Sequence, residues 1–181
     1  MDEPSAVRPA VPADCTAIAA VYRPYVVAAA ASFEEAAPAP GEMERRMLAE
    51  PRLPWLVADR GGDVVGYCYA SRHRERAAYR WSADVSVYCA REERGRGTGR
   101  RLYGALLPEL AALGYVRAYA GIVLPNPASV RLHEALGFVA VGVYRDVGYK
   151  HGAWRDVGWW QRALADPPAV PVEPRPWAPG R

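Results

Sequence analysis

Apolar and polar residues alternate in several short segments of the chain, which is the spacing of half-buried strands. Alternation predicts strands at about residues 55–59 and 64–71, and the Gly61-Gly62 pair between them predicts a hairpin turn. Further strands are predicted at about residues 7–9, 79–89 and 116–123. The sequence therefore predicts a sheet whose strands come from most of the chain.

Other segments carry apolar residues at every third or fourth position, the spacing of a helix with one buried face. The first such helix begins near Asp14 as its N-cap, and the second covers about residues 41–50. The third runs over about residues 97–113 and stops at Gly114. Pro108 should kink or shorten this third helix, because proline disrupts the helical hydrogen-bond pattern.

The last third of the chain has the clearest helix boundaries. Asn126 is a predicted N-cap, Pro127 takes the first helical position, and Gly137 lies just beyond the helix end. A closing strand pair is predicted at about residues 138–149 and 154–164, around a His-Gly turn. Helices and strands mixed in this order predict the α/β class.

Length and composition fit one globular domain. The chain has 181 residues, of which 51% are hydrophobic and 24% are charged. We expect residues 1–165 to form the domain. Residues 166–181 hold six prolines, and we expect them to form an extended and loosely attached tail.

The sequence favours a cytoplasmic protein without a membrane span. The longest mostly apolar run, residues 25–33, is too short to cross a bilayer, and positions 2 and 3 are acidic where a signal peptide needs basic residues. Cys15, Cys68 and Cys89 are widely spaced, which favours reduced thiols over disulfides. No histidine has zinc-type spacing with them, so we expect no metal site.

Arginine supplies almost all of the positive charge. The net charge of +3 is too small to make nucleic acid the main expected partner. A cluster of arginines nevertheless surrounds a glycine-rich segment: Arg91, Arg94, Arg96, Arg100 and Arg101. Three interpretations are open, namely an RNA-binding patch, a phosphate cradle and a solvated face, and the neighbouring Glu92 and Glu93 weaken the first.

The segment Arg94-Gly95-Arg96-Gly97-Thr98-Gly99-Arg100-Arg101 joins the strand at residues 79–89 to the third helix. Glycines let the backbone turn tightly, and the free N–H groups at a helix start attract anions with the help of the helix dipole. The segment therefore predicts a site for a phosphate-bearing cofactor.

Asp84 lies on the polar face of the strand that leads into this segment. Its neighbours Ala83 and Val85 lie on the apolar face, so the carboxylate points away from the core. An ordinary solvent-facing carboxylate is the plain alternative. The nearby phosphate cradle favours a contact with substrate instead.

Two signatures resemble those of GNAT N-acetyltransferases, which bind acetyl-coenzyme A. One is Arg94-x-x-Gly97-x-Gly99, which follows a strand and opens a helix, and the other is the helical segment at residues 126–138. Their order makes the resemblance specific, and it covers about residues 6–164. It implies the GNAT fold, a central mixed, mostly antiparallel twisted sheet of about six to seven strands flanked by about four helices.

Within that superfamily the chain is similar to phosphinothricin N-acetyltransferases and related amino-acid acetyltransferases. The longest matching segments are Leu-Pro-Asn-Pro-Ala-Ser-Val at residues 124–130 and Val-Gly-Tyr-Lys-His-Gly-x-Trp-x-Asp-Val-Gly at residues 147–158. The resemblance implies direct acetyl transfer, in a ternary complex, to the α-amine of phosphinothricin, methionine sulfoximine or methionine sulfone. It also implies a homodimer.

The resemblance assigns the acetyl-coenzyme A site to three segments. Backbone groups of Val87, Tyr88 and Cys89 would pair with the pantetheine arm and supply an N–H to the developing oxyanion. The pyrophosphate would lie on Arg94, Gly95, Arg96, Gly97, Thr98, Gly99 and Arg100. Asn126 and Ser129 would contact the pantetheine, although a capping role alone would explain Asn126.

Acetyl transfer to an amine needs a base, because an amine of pKa about 8 is mostly protonated at neutral pH and only its neutral form attacks a thioester. Asp84 stands where the family has glutamate. Its side chain is one methylene shorter, so relay through a water molecule is an alternative to direct contact. We expect partial desolvation to raise the pKa of Asp84.

His133 is the second catalytic candidate. It stands where the resemblance implies a residue that takes the amine proton or protonates the departing thiolate. The alternative is a packed, hydrogen-bonded and inert histidine beside Leu132 and Leu136 on its helix.

The acceptor would be recognised by loop residues. Arg74 and Arg76 match basic positions of the phosphinothricin-type pattern and are candidates to bind a carboxylate or phosphinate, with solvated loop charges as the alternative. Phe33 and Tyr79 would flank the acceptor side chain, and Tyr103 is a further candidate on the acceptor side.

Two other functions are compatible with the sequence. Acetylation of a protein or peptide N-terminus would need an open groove instead of a closed arginine pocket. A non-enzymatic module that binds coenzyme A or RNA would retain RNA in a salt-sensitive manner and release no thiol.

Overall fold

The computed structural model describes residues 5–179, and in that range one seven-stranded sheet is flanked by four helices. The strands are β1 (Ala6–Pro9), β2 (Trp55–Arg60), β3 (Asp63–Arg72), β4 (Ser82–Cys89), β5 (Arg117–Leu124), β6 (Val139–Lys150) and β7 (Ala153–Ala163). The helices are α1 (Cys15–Val27), α2 (Pro40–Met47), α3 (Thr98–Leu113) and α4 (Pro127–Ala135).

The sheet is antiparallel at every junction except one. Its strand order is β1-β2-β3-β4-β5-β7-β6, and only the central β4–β5 pair is parallel. The parallel junction follows from the connection through α3, because parallel neighbours need a long crossover while antiparallel neighbours accept a hairpin. The predicted mixed, mostly antiparallel sheet is confirmed.

Each face of the sheet has its own hydrophobic core. Ala83 and Val85 on β4 pack with Leu102 and Leu106 of α3 on one face. On the other face, strands β2 and β3 pack against α1 and α2, and Tyr67 is among the buried residues there. Alternation along β4 therefore sends Asp84, like Tyr88, to the α1 side of the sheet.

The two central strands separate soon after they meet. Pairing between β4 and β5 covers Ser82↔Arg117, Ala83↔Ala118 and Asp84↔Tyr119 and then stops. Beyond Asp84, β4 stays paired with β3 alone as far as Cys89. One backbone edge of β4 is thus left without a neighbouring strand, next to the carboxylate.

Most element predictions are confirmed, with shifts of a few residues at the ends. Gly61 and Gly62 form the β2–β3 turn with φ of +61° and +95°, a conformation that favours glycine. The strand expected at residues 79–89 begins only at Ser82, because a short 3-10 turn occupies Ala77–Tyr79.

Two helix predictions are confirmed only in part: Asp14 takes the predicted N-cap position of α1, and α3 has the predicted extent without being shortened. Asp14 does not cap α1 with its side chain, because its carboxylate accepts hydrogen bonds from Arg8 (2.8 and 2.9 Å) and from the Val11 amide (2.8 Å). Pro108 does not shorten α3, which continues over all 16 residues and ends at Gly114 with φ of +100°.

The expectation of a loosely attached tail is wrong for the part that the structure describes. Trp177 is 5% exposed and packs in the α3 core, and its backbone N–H donates to Arg52 O at 2.8 Å. The backbone N–H of Arg175 donates to Leu113 O at 2.8 Å. The tail is extended, as predicted, but a buried indole holds it to the domain.

None of the four described helices is long and apolar enough to cross a bilayer.

Candidate active site

Asp84 stands at the point where the two central strands part. Its side chain is about one-quarter exposed, and it lies opposite Ser71 on β3 and Tyr119 on β5. Burial raises the pKa of Asp84 above its ordinary value of 3.8, and a hydrogen bond from His73 opposes part of that rise. The direction is the one expected from partial desolvation.

His73 is the direct partner of this carboxylate. Its Nδ1 lies 2.6 Å from Asp84 Oδ1, and its side chain is only 12% exposed. The ring stacks on Tyr119 at a centroid distance of 4.2 Å and an interplanar angle of 16°. Tyr79 and Trp159 meet it edge-on at 5.9 and 6.0 Å. No sequence pattern assigned a role to His73, so this pairing was not predicted.

The register of the β3–β4 hairpin is the signal that could have found the pair. Ser71 faces Asp84 and Arg72 faces Ala83, so the next residue along the chain, His73, starts the loop beside the carboxylate. Sequence alternation gave the face of Asp84, but the register was needed to identify its neighbour.

Arg74 and Arg76 line a cavity of about 320 Å³. His73 and Tyr79 belong to the same wall, and Glu173 from the tail closes part of the opposite side. Arg74 also donates to His73 O at 2.7 Å and lies over the Trp159 ring at 5.4 Å. The structure therefore brings the two predicted arginines and Tyr79 together beside the His73–Asp84 pair.

Phe33 lies on the α1–α2 connection, 40% exposed, with its ring packed on Gly148 of β6. A Cβ atom at Gly148 would stand 2.4 Å from the Phe33 ring, so only glycine allows this contact. The connection itself is held by Lys150, whose buried Nζ donates to Val26 O, Ser32 O and Glu34 O at 2.5–2.7 Å.

The glycine-rich turn has the geometry expected of an anion site. Gly95 and Gly97 have φ of +77° and +76°, and Gly97 is the N-cap of α3. A Cβ at Gly99 would stand 3.1 Å from Leu132 Cδ2, so the first turn of α3 packs closely on α4. Together these glycines present the start of α3, with its positive dipole end, at the surface.

An ion pair between the buried Glu93 and Arg60 holds the glycine-rich turn in place. Glu93 is 3% exposed and contacts Arg60 at 2.5 Å, and the Thr98 hydroxyl donates to it at 2.7 Å. The Thr98 side chain is therefore structural, and only its backbone group belongs to the predicted anion site. Neither Glu93 nor Arg60 was singled out for this role from the sequence.

The three predicted pyrophosphate arginines, Arg94, Arg96 and Arg100, all have exposed side chains at this turn. Arg94 lies over the Tyr25 ring at 5.4 Å. Three guanidinium groups around one helix start give the turn a positive field, which complements a diphosphate.

The open edge of β4 carries the other predicted cofactor contacts. The Tyr25 hydroxyl donates to Cys89 O at 2.7 Å and accepts from Cys89 N at 3.3 Å, so both backbone groups of Cys89 point away from β3. Antiparallel strands alternate in this respect, which places the N–H and C=O of Val87 on the same open edge. The Tyr88 side chain instead packs against Tyr22 and Tyr25 on the α1 face.

His133 is buried, with 3% of its surface exposed, and both ring nitrogens are engaged. Nδ1 donates to Ser129 O at 2.8 Å, and Nε2 lies 3.2 Å from the Tyr103 hydroxyl. Burial lowers the pKa of His133 below 6.5, which favours the neutral ring. This geometry supports the packed alternative for His133 over the catalytic one.

Tyr103 does not lie on the acceptor side. It has no exposed surface and packs in the α3 core against His133 and Phe138. The Tyr103 ring is therefore part of the hydrophobic core.

Asn126 caps α4, as predicted, by accepting a hydrogen bond from Ser129 N at 3.2 Å. Both residues are partly exposed. The cap accounts for Asn126, and the expected pantetheine contacts of both residues stay predictions.

In the part of the chain that the structure describes, no group of three or more histidine, cysteine, aspartate or glutamate side chains could hold a metal ion.

The separated parallel strand pair and the glycine-arginine helix start both lie in the part of the chain that matches a family of acetyltransferases. Residues 7–159 match the family described as acetyltransferase (GNAT) domain. The chain belongs to this GNAT family.

Within this family, the chain is similar to acetyltransferases named for particular amino-acid analogues. The chain is 40% identical over 177 residues to phosphinothricin N-acetyltransferase of Streptomyces viridochromogenes, covering 97% of this chain and 94% of the relative. It is 32% identical over 163 residues to the L-methionine sulfoximine/L-methionine sulfone acetyltransferase of Salmonella typhimurium, covering 84% and 90%.

A solved structure of similar fold is the GNAT phosphinothricin acetyltransferase of Sinorhizobium meliloti in complex with acetyl-coenzyme A. It has a TM-score of 0.88 and 39% identity, and the match covers 93% of this chain and 94% of that one. The resemblance found in the sequence is confirmed by these matches.

Proposed function

We propose that this acetyl-coenzyme A dependent N-acetyltransferase acetylates the α-amine of small amino-acid analogues of the phosphinothricin, methionine sulfoximine and methionine sulfone class. The observation that carries the proposal is the Asp84–His73 pair beside a cavity that contains Arg74 and Arg76. An acid–base pair next to two guanidinium groups suits an amino acid, because one molecule then presents an amine and an anion together. Relatives named for these acceptors support the same class.

Acetyl-coenzyme A supplies the acetyl group as an activated thioester. The turn at Gly95 and Gly97, with its arginines, fits the diphosphate, because left-handed glycines expose backbone N–H groups at a positive helix start. The N–H of Val87 points away from β3 at the unpaired edge of β4 and suits stabilisation of negative charge on the acetyl oxygen.

The Asp84–His73 pair accepts the proton that an α-ammonium group must lose before it attacks. Its partial burial favours this step, because a carboxylate with a raised pKa is a better base than an exposed one. Arg74 and Arg76 bind the anionic group of the acceptor, and Phe33 and Tyr79 flank its side chain.

A thiol-release assay tests the function directly. The chain is incubated with acetyl-coenzyme A and phosphinothricin, methionine sulfoximine, methionine sulfone or a short peptide, and free thiol is followed. We expect thiol release with each of the three analogues. In Asp84→Ala we expect the rate of thiol release to fall by a factor of about 10² or more. Asp63→Ala, which removes an exposed carboxylate at the end of β3 opposite the Ser71–Asp84 pairing, serves as the matched control. Release with the peptide alone would favour the N-terminal acetyltransferase alternative.

We further propose that the chain works as a cytoplasmic homodimer. Strand β6 is an edge strand whose Val139, Val141 and Val143 are 41–58% exposed, and a second copy would cover them. Light scattering coupled to gel filtration measures the mass, and a monomer at micromolar concentration would contradict the dimer. Fractionation of expressing cells tests the compartment.

A further inference from the structure

We propose that His73 Nε2, with Asp84 as the group that orients the ring, is the atom that takes the proton from the acceptor amine. The inference rests on the proposed function and names the proton acceptor within it. It departs from the sequence expectation that Asp84 itself, directly or through water, does this.

The hydrogen bond fixes the tautomer of the ring. An ionised carboxylate accepts only, so the 2.6 Å contact with Asp84 Oδ1 requires hydrogen on His73 Nδ1. The neutral imidazole then carries its lone pair on Nε2. Nε2 has no hydrogen-bond partner among the described residues and is not sealed from solvent. The pair therefore presents a nitrogen base, not a carboxylate oxygen, as its free end.

The ring is held in place by more than one hydrogen bond. Tyr119 of β5 stacks on one face, and Tyr79 and Trp159 meet it edge-on. The charged or titratable groups that face it are Asp84 from β4, Arg74 from its own loop, Tyr79 and Tyr119. Only Asp84 among these stabilises a positive imidazolium, and a ring fixed this firmly keeps Nε2 in one direction.

The cavity decides which member of the pair meets the amine. His73 lines the arginine cavity, while Asp84 is not part of that lining. An amino acid whose anionic group binds Arg74 or Arg76 therefore reaches imidazole before it reaches carboxylate.

The proton step is simple. The α-ammonium group gives one proton to His73 Nε2, and the N–H bond pair becomes the lone pair that attacks the acetyl carbon. The imidazolium formed is stabilised by the Asp84 carboxylate through Nδ1–H and passes its proton to water. When the C–S bond breaks, the sulfur keeps the bond pair, and the second proton lost by the nitrogen goes to the departing thiolate. No oxidant or metal is needed.

The test compares His73→Phe and His73→Gln with wild type over pH 5–10. Phenylalanine keeps a ring for Tyr119 to stack on, and glutamine keeps a polar group near Asp84. We expect kcat/KM at pH 7 to fall by about 10²–10⁴ in both, with activity recovering toward high pH where the amine is already neutral. Circular dichroism confirms folding, and His151→Gln, a histidine substitution at an exposed turn between β6 and β7, should stay close to wild type.

The outcomes separate this step from the function as a whole. An active wild type whose pH profile is unchanged in His73→Phe would overturn the role of His73 and leave the acetyltransferase function standing. A wild type that releases no thiol with any acceptor would overturn both. Nitrogen-15 NMR of the wild type adds a readout independent of the acceptor, because hydrogen on Nε2 at neutral pH would also contradict the role of His73.

Discussion

Asp84 and His133 show how burial gives opposite results for two ionisable side chains. Both lose contact with water, which disfavours whichever form is charged. The pKa of Asp84 therefore rises and the pKa of His133 falls. About one-quarter of the Asp84 side-chain surface stays exposed, and its partner His73 lines the cavity. His133 is instead enclosed, with its ring nitrogens against Ser129 and Tyr103.

His133→Gln tests the packed role at the scale of one residue. Because the folded pKa of His133 lies below 6.5, the unfolded chain binds the extra proton first, and the wild type loses stability as pH falls from above 6.5 toward the folded pKa. In thermal melts between pH 8 and pH 5, the melting temperature of His133→Gln should fall less than that of wild type.

The same variant should keep kcat within about tenfold, since loss of a general acid would cost about 10²–10⁴. His151→Gln, at an exposed turn position, is the control for substitution of a histidine. A drop of kcat into the general-acid range would return His133 to the catalytic residues.

The element that prepares the cofactor site is the start of α3. Gly97 caps it in a left-handed conformation and Gly99 packs against α4, while the buried Glu93 fixes the preceding turn. Glycine is needed at Gly97 because a side chain there costs backbone strain. Gly104, in the middle of the same helix, meets nothing within 4 Å.

Gly97→Ala and Gly104→Ala should therefore have opposite effects. We expect Gly97→Ala to lower the free energy of unfolding by about 1–2 kcal/mol and to raise the KM for acetyl-coenzyme A. Gly104→Ala should raise stability by about 0.5–1 kcal/mol and leave that KM unchanged. Denaturant melts and initial rates measure both, and equal effects would contradict the special role of the turn.

Strand β6 holds the segment around Phe33, a predicted acceptor contact, through Lys150. Removal of its ammonium group takes this donor from the carbonyl of Val26, near the end of α1, and from the carbonyls of Ser32 and Glu34 in the α1–α2 connection. Lys150→Met should cost at least about 2 kcal/mol and raise the KM for the amine more than the KM for acetyl-coenzyme A, because the connection carries Phe33.

Arg145→Met is the matched control on the same strand. Arg145 is 74% exposed and pairs with Asp156 at the surface, so its loss should cost less than about 1 kcal/mol. If the two variants lost similar free energies of unfolding, the expected contribution of the buried Lys150 ammonium group would be contradicted.

At the scale of the whole molecule, the chain end completes the α3 side of the fold. Trp177 is buried against the core and Arg52 lies over its ring at 5.7 Å. Glu173 forms an ion pair with Arg80 and belongs to the wall of the arginine cavity. A segment rich in proline thus packs on the domain at a few points instead of along its length.

Trp177→Ala should destabilise the protein by about 3–5 kcal/mol, the usual range for truncation of a buried aromatic side chain. Val170→Ala, at a tail position that is 82% exposed, should change stability by less than about 0.5 kcal/mol. Urea unfolding measures both free energies, and a neutral Trp177→Ala would mean that the tail does not contribute to the fold.

Strand and helix boundaries followed from the sequence because they depend on local spacing and on a few residues such as Asn126, Gly114 and Gly137. Asp14 takes the predicted N-cap position, but its side chain makes no capping hydrogen bond, because the carboxylate is bound by a stronger partner, Arg8. That partner comes from β1, beyond the reach of a local rule.

The sequence by itself determined the mixed fold, the glycine-rich start of α3 where an anion site is predicted, and the face on which Asp84 lies, because periodicity and glycine positions are local properties. Tertiary structure alone decided that His73 pairs with Asp84, that His133 and Tyr103 are enclosed in the core, and that Trp177 holds the tail. These facts depend on strand register and on which surfaces meet, and a linear pattern of apolar and polar residues carries neither.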